Sequence, residues 1–368
     1  MTIPFMSLDL HEDASAVRSA IDRVIARGWF VLGPEVEAFE TEFAAASGAR
    51  HAIGVGNGTD AIALTLRALN IGLGDEVITS PLSAAFSALA ILMAGARPVF
   101  ADIDPERLTI DPDAIERVIS PRTAAILPVH LYGQASDMTR IAALAHKRGL
   151  AVVEDACQAH LATTDGRPVG TVGVAGAFSF YPTKNLGALG DGGAVLTSDP
   201  ELANRLRSLR NGGQSDRYTH PDFGVNSRLD EIQAAVLRAR LEHLPPWTAR
   251  RRELAARYRA GLAGTAVHVP PQFDVGHVYH LFPVLAPDRA HFMAHLKAHG
   301  IGSLIHYPIP IPRQAAMESS RPDMCPIADR VSTEVCSLPL HPHLSNDDAD
   351  RVIDAVRAWQ PSKACISP

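Results

Sequence analysis

The chain has 368 residues, a net charge of −6 and a hydrophobic fraction of 46%. This length and apolar content are typical of a globular protein with one large and one smaller domain. The charge is only mildly negative and no basic stripe is present, so nucleic acid is not an expected partner. No apolar run approaches the roughly 20 residues that cross a bilayer, and the N-terminus lacks the pattern of a signal peptide, so we expect a cytoplasmic protein. The four cysteines show no CxxC pairing, and no Cys/His cluster indicates a metal site.

Short apolar runs alternate with helical patterns from about residue 50 onwards. The predicted order is strand HAIGVG, helix TDAIALTLRALN, strand DEVITS, helix SAAFSALAILMAG, strands RPVFAD and AAILPVH, helix MTRIAALAHKRG, and strands LAVVED, GAFSFY and GGAVLTS. Continuous apolar strands that alternate with helices predict an α/β fold, in which a mostly parallel sheet is covered on both faces.

The pattern changes after residue 200. Helices are predicted for PELANRLRSLRN, SRLDEIQAAVLRARLEHL and TARRRELAARYRAGLAG, with a break at PPW, residues 245–247. The remainder mixes a strand (HVYHLFPVLA), a helix (RAHFMAHLKAHG) and proline-rich loops. We therefore predict a large α/β domain over residues 1–245 and a smaller α+β domain over residues 246–368.

The first stretch with candidate chemistry is GVGNGTDAI, residues 54–62. A strand runs into a glycine turn, and a helix begins there. Free backbone N–H groups and the positive end of the helix dipole can bind an anion at such a point. The alternative is a plain glycine turn with Thr59 as the N-cap.

The second stretch is VVEDACQAH, residues 152–160. Asp155 ends a buried strand, at the edge where open α/β sheets bind ligands. A carboxylate in that position requires a cation or hydrogen-bond donors. The alternative is that Asp155 caps the following helix. Gln158 and His160 follow at spacings compatible with the same crevice.

The third stretch, FSFYPTKNLGALGDGGAV (residues 178–195), contains one of the four lysines in the sequence, Lys184. Desolvation would lower the pKa of this amine and make it a nucleophile able to form a Schiff base. Ser179, five residues earlier, can add a hydroxyl to the anion site. A phosphate cradle, a buried carboxylate and such a lysine, in this order, describe a site for pyridoxal 5'-phosphate (PLP).

With these residues placed, the chain resembles the DegT/DnrJ/EryC1/StrS family of sugar aminotransferases. The resemblance covers nearly the whole chain and rests on the motifs IPFMSLDL, GNGTDAIALTLRALNIGLGDEVI, PVFADIDP, AAILPVHLYGQ, VVEDACQAH, FSFYPTKNLGALGDGGAV, NSRLDEIQAAVL and HVYHLFPV. It implies the PLP-dependent transferase fold type I, with a mostly parallel seven-stranded sheet. It also implies a homodimer with a composite active site.

The resemblance assigns cofactor contacts residue by residue. Lys184 matches the lysine that carries the cofactor, Asp155 the partner of the pyridine nitrogen, and Gln158 the residue near the ring hydroxyl. Phosphate contacts are implied for Gly58, Thr59 and Ser179, and for Asn226 reaching in from the neighbouring subunit. The family commonly has a Thr-aromatic pair, whose ring stacks on the cofactor, where this chain has Ser83 and Ala84. Either Phe86 supplies that ring or the stacking is absent.

The resemblance implies that Arg228, His306 and Tyr307 contact the nucleotide or phosphates of the substrate and that Tyr181 lines the sugar pocket. His160 is a further expected substrate contact. Two of them have ordinary alternatives, since Arg228 also suits a helix start and Tyr307 a packed aromatic before a proline. GSLIHYPIPIP resembles the branch of the family that acts on nucleotide-linked 3-keto sugars.

The implied activity is transfer of an amino group from L-glutamate to a nucleotide-linked keto-deoxysugar, giving a 3-amino sugar. Amination of a 4-keto sugar or of a cyclitol ketone stays open, as does a PLP-binding regulatory protein without turnover. Sugar dehydration is disfavoured, because family members that dehydrate carry histidine where this chain has Lys184.

Overall fold

The computed structural model describes residues 2–320 and 325–362. Lys363, Cys365 and the end of the predicted C-terminal domain lie outside the described residues. The α-helices are α1 (Ala14–Arg27), α2 (Pro34–Ala46), α3 (Gly58–Ala68), α4 (Phe86–Met93), α5 (Pro112–Val118), α6 (Met138–Arg148), α7 (Pro200–Leu209), α8 (Glu231–Leu241), α9 (Leu244–Gly261), α10 (Arg289–Ala298), α11 (Pro326–Glu334) and α12 (Asn346–Ala358). The strands are β1 (His51–Val55), β2 (Glu76–Thr79), β3 (Arg97–Phe100), β4 (Thr123–Leu127), β5 (Ala151–Asp155), β6 (Thr163–Thr164), β7 (Arg167–Pro168), β8 (Ala175–Ser179), β9 (Gly193–Thr197), β10 (Phe282–Leu285) and β11 (Val335–Leu338).

Seven strands form the central sheet in the order β1-β9-β8-β5-β4-β2-β3. Strands β8, β5, β4, β2 and β3 are parallel, whereas β9 runs antiparallel to its neighbours β1 and β8. Strands such as β2 and β9 are buried along their whole length, because helices cover both faces of the sheet. The predicted α/β fold with a mostly parallel seven-stranded sheet is confirmed.

Four helix starts differ from the sequence predictions, and one of them is that of α4, which begins at Phe86 rather than at Ser83. α3 begins at Gly58, and its N-cap is Asn57, whose side chain accepts a hydrogen bond from the amide of Asp60 at 2.8 Å, so Thr59 is not the cap. α8 begins only at Glu231, because the preceding residue, Asp230, is extended and pairs with Val31. α9 begins at Leu244, so that PPW, where the sequence predicts a break, lies in the first turn of this helix. Proline is tolerated there, because the first turn of a helix has no use for its missing N–H.

A hydrophobic core separate from the sheet lies in the C-terminal part of the chain. It is built from α9, β10, α10, β11 and α12, and includes Tyr258, Phe282 and Trp359. Ile3 joins this core, and its backbone pairs with Ile301. The N-terminal residues therefore pack with the C-terminal part, and the division near residue 245 stays a prediction.

Neither a membrane span nor a metal cluster is found in the part of the chain that the structure describes. No helix among the described residues is both long enough and apolar enough to cross a bilayer. Nor do the described residues contain three or more His, Cys, Asp or Glu side chains grouped to hold a metal ion.

Candidate active site

The predicted site residues collect at one edge of the central sheet. Asp155 is the last residue of β5 and Ser179 the last residue of β8, and these two strands are parallel. Gly58 begins α3, directly after β1. Parallel strands end at the same edge of a sheet, which is where α/β proteins bind ligands. The fold thus brings together three segments that are far apart in the sequence.

The N-terminus of α3 has the features of an anion site. Within the described residues, the amides of Gly58 and Thr59 donate to no acceptor. A Cβ atom placed on Gly58 would lie 2.7 Å from the Cys157 Sγ and 2.9 Å from the Ser179 Cβ. Both distances are too short for a real contact, so only glycine fits here. Two free amides, the helix dipole and the adjacent Ser179 form a cradle suited to a phosphate.

The Asp155 carboxylate is buried, with 5% of the residue exposed, and two hydrogen bonds compensate its burial. Its Oδ2 accepts a hydrogen bond from the Ser87 hydroxyl at 2.7 Å. Its Oδ1 accepts one from the backbone amide of Cys157 at 3.2 Å. The predicted alternative, in which Asp155 caps a following helix, does not apply, because no helix follows β5 directly.

Lys184 lies in a tight turn after β8, where its amide donates to the carbonyl of Tyr181 at 2.8 Å. Burial lowers the pKa of its amine, against the opposing influence of nearby Cys157 and Asp155. Burial and then the Lys184 charge lower the pKa of His160 to about 3 and that of His306 to about 4. The amine is therefore set close to the Asp155 carboxylate and to neutral imidazoles.

Gln158 connects the sheet edge to the loop that carries His306 and Tyr307. Its Oε1 accepts a hydrogen bond from the Tyr132 amide at 2.8 Å, and its Nε2 donates to the Tyr307 hydroxyl at 3.1 Å. The Tyr132 hydroxyl in turn donates to the carbonyl of His306. Gln158 and Tyr307 thus lie side by side in the predicted crevice.

The structure places His160 away from that crevice, and the prediction of a substrate contact is corrected. Its side chain is 0% exposed and packs against Phe178 and Phe180, with ring centroids 5.5 and 5.7 Å away. A substrate could not touch it without opening this core. His160 instead forms part of the packing behind β8 and Lys184.

The other predicted residues occupy the rim. Phe86, the first residue of α4, is 62% exposed, and Tyr181 is 51% exposed. Asn226 is exposed in the segment before α8, and nearby Arg228 donates to the Asn211 side chain at 2.9 Å. A stacking role for Phe86 and a contact of Asn226 with a neighbouring subunit stay predictions.

Sequence reasoning missed three residues of this site. Ser87 is buried within the apolar helix α4, and Tyr132 lies in the loop after β4. His280 is buried, and its Nδ1 lies 3.2 Å from the Asn185 Oδ1. Each makes its contact with a residue distant in the sequence, so neither periodicity nor motif spacing could have found it.

Known proteins resemble the chain over almost its full length. A model of the DegT/DnrJ/EryC1/StrS aminotransferase family matches residues 11–357. The dTDP-3-amino-3,4,6-trideoxy-alpha-D-glucose transaminase of Streptomyces venezuelae is 48% identical over 363 residues, which cover 97% of this chain and 96% of that protein. The crystal structure of S. venezuelae DesV with a ketimine intermediate has a TM-score of 0.94 at 48% identity, covering 97% and 98% of the two chains. NtdA of Bacillus subtilis with bound cofactor PMP has a TM-score of 0.91 at 32% identity, covering 96% of this chain and 84% of NtdA.

The sheet, the phosphate cradle and the Lys184–Asp155 pair define a PLP-dependent transferase of fold type I. The chain belongs to the DegT/DnrJ/EryC1/StrS aminotransferase family. It is a sugar aminotransferase that uses PLP. The described residues fit this cofactor, because the free amides of α3 suit its phosphate and the buried carboxylate suits its protonated ring nitrogen.

Proposed function

We propose that the chain transfers an amino group from L-glutamate to the 3-keto group of a nucleotide-linked 6-deoxyhexose, giving a 3-amino sugar. The observation that carries the proposal is the Lys184 amine, whose pKa is lowered by burial at the sheet edge beside Asp155. The position of the new amine is inferred from the S. venezuelae relative, which is a dTDP-3-amino sugar transaminase.

The residues of the site would have distinct roles toward the cofactor. PLP, when bound, supplies an electron sink for negative charge at the carbon that gains or loses the amine. Gly58, Thr59 and Ser179 would hold its phosphate, and Asp155 would keep its ring nitrogen protonated. Lys184 Nζ, more easily deprotonated than an exposed lysine, would take up and return the proton at the reacting carbon.

The substrate side of the proposal uses the rim of the crevice. Tyr181 is exposed beside Lys184, and Tyr307 lies against Gln158. His306 Nδ1 contacts the Ser337 Oγ at 3.0 Å, which orients the imidazole. We assign the sugar to Tyr181, and the nucleotide or its phosphates to Arg228, His306 and Tyr307. The amino donor would use the same crevice in the first half of the reaction.

The proposal is tested with purified protein, PLP and L-glutamate. A panel of nucleotide-linked 3-keto and 4-keto sugars and a cyclitol ketone is offered, and release of 2-oxoglutarate is measured. We expect turnover with a 3-keto sugar, and its loss by about 100- to 10,000-fold in Lys184→Ala. Lys147→Ala, at an exposed site, is the matched control. Turnover that prefers the 4-keto sugar or the cyclitol would overturn the choice of acceptor, and activity of Lys184→Ala would overturn the mechanism.

We further propose a homodimer in the cytoplasm, with Asn226 of one subunit completing the site of the other. Asn226 is exposed in a segment that also exposes Tyr218 and Phe223, at 82% and 84%. Co-expression of Lys184→Ala with Asn226→Ala tests this, because a mixed dimer would have one site with both changes and one with neither. Random pairing would leave about a quarter of all sites intact. If the mixture is no more active than either variant alone, each site is built from one chain.

A further inference from the structure

Ser87 makes a hydrogen bond whose partner is unusual for a serine in a helix. It is the second residue of α4 and is 2% exposed. Serine in a helix commonly bonds back to the carbonyl one turn earlier. Here the hydroxyl donates at 2.7 Å to the Asp155 Oδ2, on a strand 68 residues further along the chain.

The surroundings of Ser87 make this bond its main polar contact. α4 has the sequence FSALAILM, and the neighbours Ala88, Ala90 and Ile91 are buried with Ser87. A hydroxyl in such a place is costly to bury unless it is hydrogen-bonded. The Ser83 Oγ lies 3.4 Å away, at the outer limit of a hydrogen bond. The serine hydroxyl is thus directed at Asp155.

Two segments donate hydrogen bonds to the Asp155 carboxylate, one to each of its oxygens. The amide of Cys157 donates to Oδ1 from the loop after β5, and Ser87 donates to Oδ2 from α4. Donors on both oxygens restrict rotation of the carboxylate. Loss of the Ser87 hydroxyl would remove the 2.7 Å hydrogen bond from an oxygen of this buried carboxylate.

We propose that Ser87 is a positioning residue for the cofactor, which acts by orienting the Asp155 carboxylate toward the PLP ring nitrogen. The proposal rests on the assignment of Asp155 under the proposed function. It makes α4, the helix that follows β2, a part of the cofactor site.

The first test is the affinity of the enzyme for PLP, followed by the visible absorbance of the bound cofactor. We expect Ser87→Ala to weaken PLP binding about 10- to 100-fold, the range of a hydrogen bond to a charged group. Ser87→Thr retains a hydroxyl and should restore binding to within about threefold. Ser332→Ala removes another buried serine hydroxyl on a helix, 1% exposed, and is the matched control with unchanged affinity. Wild-type affinity in Ser87→Ala would overturn the proposal.

A double-mutant cycle with Asp155→Asn separates positioning from general packing. If Ser87 acts through Asp155, Ser87→Ala should weaken PLP binding less than about threefold in the Asp155→Asn background. An equal effect in both backgrounds would overturn the proposal while leaving the assignment of Asp155 intact. Unchanged PLP binding in Asp155→Asn alone would overturn both. If Ser87→Ala does not fold, Ser87→Cys, a weaker donor, should give an intermediate loss, and an undiminished affinity there would contradict the proposal.

The pH dependence of the cofactor band gives a readout that packing alone would not change. When PLP is bound to Lys184, a ring nitrogen that holds its proton less firmly would withdraw less electron density from the lysine nitrogen. That nitrogen would then keep its proton to higher pH. We therefore expect the midpoint of the visible band's pH titration to move to higher pH in Ser87→Ala, and to stay in place in Ser332→Ala. A midpoint equal to that of the wild type would contradict the proposal.

Discussion

The reactivity of Lys184 comes from its surroundings. An exposed lysine has a pKa near 10.4 and is almost fully protonated at neutral pH. Burial at the end of β8 lowers the pKa of Lys184, although the nearby Asp155 carboxylate opposes this shift. Since burial has the larger effect, the amine is neutral over a wider pH range than the amines of exposed lysines.

Lys184 should therefore be the first lysine to react with a small amine reagent. We expect apoenzyme treated with limiting acetic anhydride at pH 8 to be acetylated at Lys184 before the exposed Lys147 and Lys297. Peptide mass spectrometry measures the order of modification, and added PLP should protect Lys184 alone. Faster modification of Lys147 or Lys297 would contradict a lowered pKa at the site.

The sequence was sufficient to predict the place of residues whose location follows from their position at the end of a strand. Asp155 and Ser179 end apolar strands, and that placement alone predicts a ligand edge. The sequence was insufficient to predict the position of Ser87, because the hydrogen-bond partner of Ser87 lies on another element. It misplaced His160, since spacing after β5 does not reveal that the chain turns back there and buries the ring against Phe178.

At the scale of elements, the start of α3 is the feature that most constrains the site. The strand β1 delivers the helix to the sheet edge, and Asn57 caps it through Asp60 while leaving the next two amides free. The predicted strands and helices mostly match the structure, because apolar periodicity decides them. Helix starts do not follow from periodicity, since caps and pairings such as that of Val31 with Asp230 decide them.

Gly58→Ala should damage both the cradle and the fold. The added methyl would meet Cys157 and Ser179 at distances under 3 Å. We expect a loss of about 1–3 kcal/mol in the free energy of unfolding, typical of overpacking, and PLP binding weaker by about tenfold or more. Urea unfolding and PLP titration measure the two effects.

Removal of the Cys157 thiol provides the control for this prediction. Cys157→Ala alone should bind PLP normally, and the Gly58→Ala/Cys157→Ala variant should regain part of the lost stability, because one of the two clashes is relieved. Strictly additive losses in the double variant would mean that the methyl is accommodated elsewhere.

At the scale of the whole molecule, several histidines are buried, in both the N-terminal and the C-terminal part of the chain. Burial lowers the pKa of His160 and His277 to about 3, and that of His306 and His341 to about 4. The Nδ1 of His277 accepts a hydrogen bond from the backbone amide of Tyr279 at 3.0 Å. This bond requires Nδ1 to be unprotonated. These rings stay neutral in the folded protein at pH values where the unfolded chain would protonate them.

The protein should therefore lose stability in mild acid. Below a pKa of about 6.5 the unfolded chain binds protons at these rings and the folded protein does not, so the free energy of unfolding falls as pH falls. Each fully buried histidine contributes about 2 kcal/mol of this loss at pH 5. Urea unfolding at pH 7.5 and pH 5.0, followed by tryptophan fluorescence, measures it.

His277→Asn tests the origin of the acid sensitivity. Asparagine keeps an acceptor near the Tyr279 amide but does not titrate. The variant should lose about 2 kcal/mol less than the wild type between the two pH values. An identical loss in both proteins would mean that other groups cause the sensitivity.

Strand β5 ends in two adjacent carboxylates, Glu154 and Asp155, which have different hydrogen-bond partners. Glu154 accepts hydrogen bonds from the amides of Gly170, Val172 and Gly173, and lies 3.0 Å from His130. Asp155 instead accepts hydrogen bonds from Ser87 and from the amide of Cys157. Successive strand residues face opposite sides, so a one-residue insertion or deletion would exchange these two positions. β5 should therefore tolerate point substitutions at its apolar positions far better than any change of length. In a protein library built by random insertion and deletion, this strand would be among the first segments to lose both fold and cofactor.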